Sequence, residues 1–189
     1  MSADFFFGYG SLVNRATHVY ANAHRARIRG WCRAWISMPD HGGAVLSAVP
    51  APEVEIEGLI AEVPGRDWAA LDHREAGYDR HPVSGGLEHE APHPVRAAIY
   101  AVPPARWAGA GDPVPILLSY LDVVVQGYLR EFGAEGPARF AATTRGWDVT
   151  PILDDRAAPR YPRARRLSRA EEAAADTLIA ECGASVIRP

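Results

Sequence analysis

The sequence predicts an α+β protein, on three observations. Up to Val102, short apolar runs and alternating stretches are punctuated by Gly and Pro, as strands are. From Pro115 to Phe132, apolar residues recur at helical spacing. Near the C-terminus, Ser168 and Glu171 form the Ser-x-x-Glu pattern that opens a helix. Strands first and helices later is the order of an α+β chain.

Phe5 to Tyr9 is a continuous apolar run, as expected of a strand buried on both faces. Ala26 to Met38 alternates polar and apolar side chains around Gly30, as a long half-buried strand does. Ala44 to Val49 is a further short apolar run. From Glu53 to Val63 the chain first alternates strictly, with Glu53, Glu55 and Glu57 outward and Val54 and Ile56 inward. Gly58 then marks a predicted bulge where the phase changes. Pro64-Gly65 turns the chain, and Asp67 caps a predicted helix from Trp68 to about Ala76, stopped by Gly77. Val95 to Val102 reads as another strand.

In the second half, Ile116, Leu117, Tyr120, Leu121, Val124, Tyr128 and Leu129 share one helical face, and Gly127 is a predicted point of close packing. Pro137 stands where the first turn of a helix belongs, and Gly146 ends that helix. The capping box at Ser168 starts a last helix that runs to about Cys182 and is closed by Gly183. Trp147 to Arg166, rich in Pro, Asp and Arg, reads as an ordered surface loop. With no internal repeat and no long linker, residues 1–189 are expected to form one domain, with 134–189 a helical extension of it.

Hydrophobic residues make up 48% and charged residues 23%, an ordinary balance for a globular chain with a full core. A net charge of −3 asks for neither a nucleic acid nor a membrane as partner. All 20 basic residues are Arg, which looks like genome composition rather than function. Cys32 and Cys182 have no ligand spacing and read as reduced structural residues, which fits a cytoplasmic location. No apolar stretch approaches membrane-spanning length, and the N-terminus lacks the basic flank and cleavage site of a signal peptide.

Two segments look like chemistry. In Gly8-Tyr9-Gly10-Ser11-Leu12 a buried strand runs into a glycine-flanked turn, where backbone N–H groups can converge on a carboxylate or a developing oxyanion. In Leu71-Asp72-His73-Arg74-Glu75, a carboxylate stands at the end of a short helix. Most Glu residues are solvated surface groups. Glu75 differs, because C-terminal carbonyl dipoles and the charge of Asp72 three residues earlier both favour its protonated form. A group that takes and returns a proton needs that property.

Other signals weigh less. His89-Glu90-Ala91-Pro92-His93 matches the zinc-protease pattern, but Pro92 and Pro94 exclude the helix on which the pattern works, so a solvated loop is expected. His18, His24, His41, His73 and His81 have no ligand spacing either. Ser11 lacks the second glycine of a nucleophile elbow, since Val13 stands there, so it reads as an anion contact and not a nucleophile. The run Arg156, Arg160, Arg163, Arg165, Arg166 and Arg169 follows Asp154 and Asp155. It has no interleaved aromatic beyond Tyr161 and reads as a solvated face, not a nucleic-acid site.

Taken in order, FGYGSL, RGWCRAW, EGLIAEVP and LDHREAGYDR resemble the γ-glutamylcyclotransferase superfamily, nearest its bacterial and glutathione-specific branch. SYLDVVVQGYL, Ser119 to Leu129, is similar to that family's helix after the last strands, so the resemblance covers most of residues 4–130. It implies a small mixed β-barrel flanked by helices. It also implies that Tyr9, Gly10, Ser11 and Leu12 hold a small-molecule γ-glutamyl substrate, that Glu75 is the catalytic acid/base, and that Tyr78 lines the pocket. The implied reaction is attack of the substrate's α-amine on its own γ-carbonyl, releasing 5-oxoproline without metal or cofactor. Ala76 and YGSL, in place of the YGSN of animal enzymes, are departures that bear on the amine side of the substrate. A non-catalytic binding protein on the same fold and a metal-dependent hydrolase are the competing classes.

Overall fold

The computed structural model describes residues 3–38, 42–108 and 114–188; His41 lies outside them. Strand β1 (Ala3–Gly8) runs through the middle of a mixed sheet, antiparallel to β3 (Val45–Glu62) and parallel to β6 (Val95–Ala101). On the far side of β3 lies β2 (His24–Ile36), bordered by β5 (Leu87–His89) and β8 (Thr144–Arg145). Beyond β6 lies β4 (Asp79–Pro82). The order β4-β6-β1-β3-β2-β5 does not return on itself among the described residues, so the expected barrel is an open mixed sheet. The helices are α1 (Trp68–Arg74), α2 (Leu118–Phe132), α3 (Gly136–Ala142) and α4 (Arg169–Cys182), and the fold is α+β.

The triple Phe shows why β1 is central. Phe5 and Phe7 enter the main core with Ile28, Ile56, Ile99, Leu121, Val124, Tyr128, Phe140 and Leu178. Phe6 points to the other face, against Ala61, Val63, Leu71 and Tyr100. All three are at most 2% exposed, so both faces of the strand are covered, α2, α3 and α4 on one side and α1 on the other. Each such side chain contributes about 1.5–3 kcal/mol on burial.

Several boundaries differ from expectation. The runs 44–49 and 53–63 are one strand, β3, and the pairing irregularity falls opposite Arg29 and Gly30, not at Gly58. Arg29 pairs with Glu55 and Gly30 with Ala51, which leaves Pro52 to Val54 as the extra residues. Pro50 and Pro52 have no N–H for the ladder, and Gly30 at φ +97° supplies the bend. Gly58 pairs in register with Ala26. It is glycine because a Cβ there would lie 2.4 Å from the Gly8 carbonyl oxygen and 2.6 Å from the Phe7 ring.

Helix α1 ends at Arg74, capped at its start by Asp67, whose Oδ1 accepts from the Ala70 N–H at 3.0 Å. Helix α2 begins at Leu118, after a short strand β7 (Ile116–Leu117). Helix α3 stops at Ala142 because Thr144 and Arg145 join β2. The stretch 147–166 is more than a surface loop. Within it β9 (Ile152–Leu153) pairs with β7 and with β10 (Val186–Ile187), and Ile152 is fully buried. Helix α4 has both hydrogen bonds of the Ser168–Glu171 capping box and ends at Gly183 with φ +63°.

Helix α2 is the brace for the turn after β1. Asn14 is buried there, and its Nδ2 donates to the Val123 carbonyl at 3.0 Å and to Gln126 Oε1 at 2.8 Å. Gly127 permits this approach, since a Cβ would meet the Asn14 backbone nitrogen at 2.7 Å and its Cα at 3.0 Å. Both obstacles are main chain and cannot rotate away. Gly127→Ala is therefore expected to destabilise the fold by about 1–3 kcal/mol despite alanine's better helix propensity. A urea-denaturation midpoint at or above that of the wild type would contradict this packing.

Candidate functional site

The turn after β1 is held from behind by a fully buried guanidinium. Arg33 on β2 donates from Nε to the Tyr9 carbonyl at 3.2 Å, from Nη1 to Thr143 Oγ1 at 2.6 Å, and from Nη2 to the Tyr128 hydroxyl at 2.6 Å and to the Glu57 carbonyl. Its Cζ lies 5.0 and 5.1 Å from the ring centroids of Tyr128 and Phe140. The Tyr128 hydroxyl reaches the Tyr9 carbonyl at 2.9 Å and the Glu57 carbonyl at 2.8 Å. The described partners of Arg33 are thus carbonyls, hydroxyls and ring faces, which take four of its five N–H groups without a carboxylate. Tyr9 is also fixed through its side chain, donating to the Tyr100 carbonyl at 2.6 Å and accepting from the Ala48 N–H at 2.9 Å. Its phenol is occupied as a structural post.

From this anchor, Gly10 leads into a 3-10 turn over Ser11–Val13, closed by Val13 N–H to the Gly10 carbonyl and Asn14 N–H to the Ser11 carbonyl, each 3.0 Å. The Ser11 N–H faces the Tyr120 hydroxyl. A Cβ at Gly10 would meet that hydroxyl at 2.7 Å, so any larger residue would push the Tyr120 side chain aside. Among the described residues, the amides of Gly10 and Leu12 donate to no protein acceptor. They remain available, as an anion-binding turn requires.

Glu75 reaches the same place from the other face of the sheet. It is the residue after α1, with φ −89° and ψ 31°; its N–H donates to the Leu71 carbonyl, and its carbonyl accepts from the Tyr78 N–H. Gly77, at φ +106°, lets the chain double back here. The turn brings Glu75 and Tyr78 to one cavity, where the Tyr78 hydroxyl donates to the Leu46 carbonyl at 3.2 Å. A recess of about 80 Å³ is lined by Gly8 to Leu12, Tyr9 included, with Glu75, Tyr78, Tyr100 and Tyr120. It adjoins a cavity of about 670 Å³ that shares Ser11, Leu46, Glu75, Tyr78 and Tyr120. All six residues singled out in the sequence, Tyr9, Gly10, Ser11, Leu12, Glu75 and Tyr78, therefore border one continuous space.

Burial is the main influence on Glu75 and pushes its carboxyl above the ordinary glutamate range; Arg74 and Arg163 pull the other way. The Arg74 Nε–Glu75 Oε1 separation is 3.6 Å. Asp72 plays no part in the shift. Arg80 holds its carboxylate at 2.9 and 3.2 Å and the Tyr100 hydroxyl donates to it at 2.6 Å, so its charge is already neutralised.

The sequence reading missed Tyr120 and the wall formed by residues 160–163. The segment expected to be a solvated Arg face does leave Arg160, Arg165, Arg166 and Arg169 exposed, but its main chain is pinned. Buried Asp155 accepts from Ser119 N–H and Oγ at 2.7 and 2.6 Å and from Arg160 N–H at 2.8 Å. Burial opposes its charge, yet these bonds hold its carboxyl below the ordinary range. Asp155 thereby caps α2 from a distance, and the available signal was that α2 has no side-chain cap of its own.

Other candidates do not assemble. His89 ends β5 and the residues after it are not helical, so His89 and His93 share no helix face. Among the described residues no group of three or more His, Cys, Asp or Glu side chains is set to hold a metal ion. A second cavity of about 640 Å³ is rich in charge, but each of its arginines already has a carboxylate partner. Glu57 is held by Arg27 and Arg139 at 3.2 and 3.1 Å, and Glu131 by Arg15 and Arg25 at 2.6 and 3.6 Å. No helix among the described residues is long and apolar enough to cross a membrane.

A family model described as ChaC-like protein matches residues 5–113. No curated protein matches the chain. Among solved structures, a protein described as gamma-glutamyl cyclotransferase is 14% identical with a TM-score of 0.57, covering 93% of this chain and 99% of its own. The human protein loc79017 is 13% identical, also at a TM-score of 0.57 and over the same shares. YkqA from Bacillus subtilis is 16% identical at a TM-score of 0.53; the match covers 77% of this chain but only 57% of YkqA. At these identities the likeness is one of fold.

The displaced acidity of Glu75 has a measurable consequence for stability. A folded-state pKa above the unfolded value means that ionising the group costs folding free energy. The contribution of the neutral carboxyl is complete below the unfolded value, about pH 4, and is lost as pH rises through the folded value. Glu75→Gln keeps the shape and cannot ionise. Calorimetric melting should find the variant more stable than wild type at about pH 8, with the gap closing by about pH 4. A gap that is the same at both pH values, or a less stable variant at the higher one, would contradict the assignment.

Proposed function

The chain belongs to the ChaC-like protein family, and on that premise we propose that it is a γ-glutamylcyclotransferase acting on a small γ-glutamyl substrate. One observation carries the reading. Glu75, a single buried-side carboxylate of raised pKa, borders the same recess as the available main-chain amides of Gly10 and Leu12. The gamma-glutamyl cyclotransferase that shares the fold supports it.

The reaction is intramolecular. The substrate's α-amine attacks its own γ-carbonyl carbon, a C–N bond forms to close the five-membered lactam, and the original amide C–N bond breaks. One proton leaves the α-nitrogen and one is gained by the departing nitrogen, so the atoms balance without a co-reactant. Tethering nucleophile to electrophile and holding the chain folded can lower the barrier by roughly 7–11 kcal/mol. Glu75 serves both proton transfers, first as base and then as acid, and its raised pKa suits the second step. The amides of Gly10 and Leu12 orient the glutamyl carboxylate or meet the oxyanion, and the loss of one oxyanion donor costs about 2.7–4 kcal/mol. Tyr9 and Tyr78 wall the recess, and their hydroxyls are committed to the protein main chain. No step calls for a metal or cofactor. The expected site of action is the cytoplasm.

A panel of γ-glutamyl compounds scored by mass spectrometry should yield 5-oxoproline and the released amine. Glu75→Gln is expected to keep binding while losing turnover by about 10²–10⁴-fold. Wild-type release of 5-oxoproline by that variant would remove Glu75 from the mechanism. Binding with no 5-oxoproline from any compound would favour a binding protein instead.

A further inference from the structure

The larger cavity is asymmetric in charge. Three guanidiniums, Arg74, Arg160 and Arg163, line it, and Glu75 is the one carboxylate among its described lining residues. Arg74 is engaged with Glu75 and with the Tyr20 hydroxyl. Arg160 and Arg163 have no carboxylate within ion-pair distance among the described residues, unlike the paired arginines of the second cavity. Arg163 lies with its Cζ 5.6 Å from the Tyr161 ring centroid, and its Nε donates to that hydroxyl at 3.1 Å. It keeps other donors uncommitted.

This wall is rigidly mounted. Ser119 Oγ donates to Asp155 and accepts from the Tyr161 N–H at 3.2 Å, while Asp155 accepts from the Arg160 N–H. The Tyr161 ring meets Tyr120 edge-on at 5.0 Å. Arg156 ties the preceding turn to Asp122 and Asp176, each at 2.7 Å. A wall whose main chain is fixed in advance loses less entropy on binding an anion. The wall also lies beyond residues 5–113, so it is not part of what the family model matches.

We propose that Arg160 and Arg163 form a subsite for a carboxylate on the leaving half of the substrate. The enzyme would then cleave γ-glutamyl amino acids and peptides with a free C-terminal carboxylate, and discriminate against γ-glutamylamines. This rests on the cyclotransferase reading above. A guanidinium pair presents donors in the fork geometry that matches a carboxylate, and an uncharged amide in that position forfeits the charge-assisted bonds.

The test compares γ-glutamyl-alanine with γ-glutamyl-alanine amide, which differ only at the terminal carboxylate. Wild-type kcat/KM should favour the free acid by roughly tenfold or more, and in Arg160→Gln/Arg163→Gln the ratio should fall towards one. Equal wild-type values would overturn the subsite while leaving cyclisation intact, and that comparison needs no variant to fold. A ratio unchanged in the folded double variant would overturn the assignment to these two residues. If neither compound gave 5-oxoproline, calorimetric titration of both compounds would decide the subsite, equal affinity overturning it, while the cyclotransferase reading would fall only if the whole panel of γ-glutamyl compounds gave none.

Discussion

The site depends on one buried cation. Arg33 grips the carbonyls of Tyr9 and Glu57 from behind, with the Tyr128 hydroxyl between them, and so joins β1, β2, β3 and α2 at a single point. A guanidinium out of water is costly unless its donors find partners. Here two carbonyls, two hydroxyls and two ring faces meet it. The same bonds fix where the first strand ends and in which direction its turn faces. Without them Tyr9 would have a buried carbonyl lacking its partners, and the turn would have no fixed base.

Around that point the constraints are steric. Gly10 and Gly127 are both places where a neighbour comes too close for a β-carbon, Tyr120 in the first case and Asn14 in the second. The turn is therefore clamped between α2 and the sheet, and its residues line the recess where Glu75 arrives from α1. Burial raises the pKa of Glu75 against two arginines that would lower it. The balance leaves a carboxyl that holds its proton more readily than a surface glutamate does, which is the property an acid/base group needs. Fold, turn and acid thus answer to the same packing.

Local chemistry was legible in the sequence. The apolar run at Phe5, the Asp67 cap, the Ser168–Glu171 box, the Gly183 stop and the tight contact at Gly127 each depend on residues close in sequence or on a single absent β-carbon, and each is found. What failed was whatever rests on distant partners. Asp72 looked like a repulsive neighbour of Glu75, but Arg80 pairs with it. The bulge was assigned to Gly58 because its glycine breaks the alternation, whereas Pro50 and Pro52 carry the physical cause. The Arg-rich stretch is exposed at Arg160, Arg165, Arg166 and Arg169 as read, but nothing local reveals that Asp155 caps α2 and draws residues 160–163 to the cavity. Recognising Glu75 needed the family resemblance, since the burial that tunes it cannot be read from a seven-residue helix.

The most direct measurement is a crystal structure with 5-oxoproline or a non-cleavable γ-glutamyl analogue bound. The ligand should lie in the recess, with its carboxylate or carbonyl oxygen on the amides of Gly10 and Leu12 and its nitrogen within hydrogen-bond reach of the Glu75 carboxyl. A ligand lodged among the arginines of the second cavity, or a Glu75 carboxyl turned out to solvent with the recess vacant, would contradict the account.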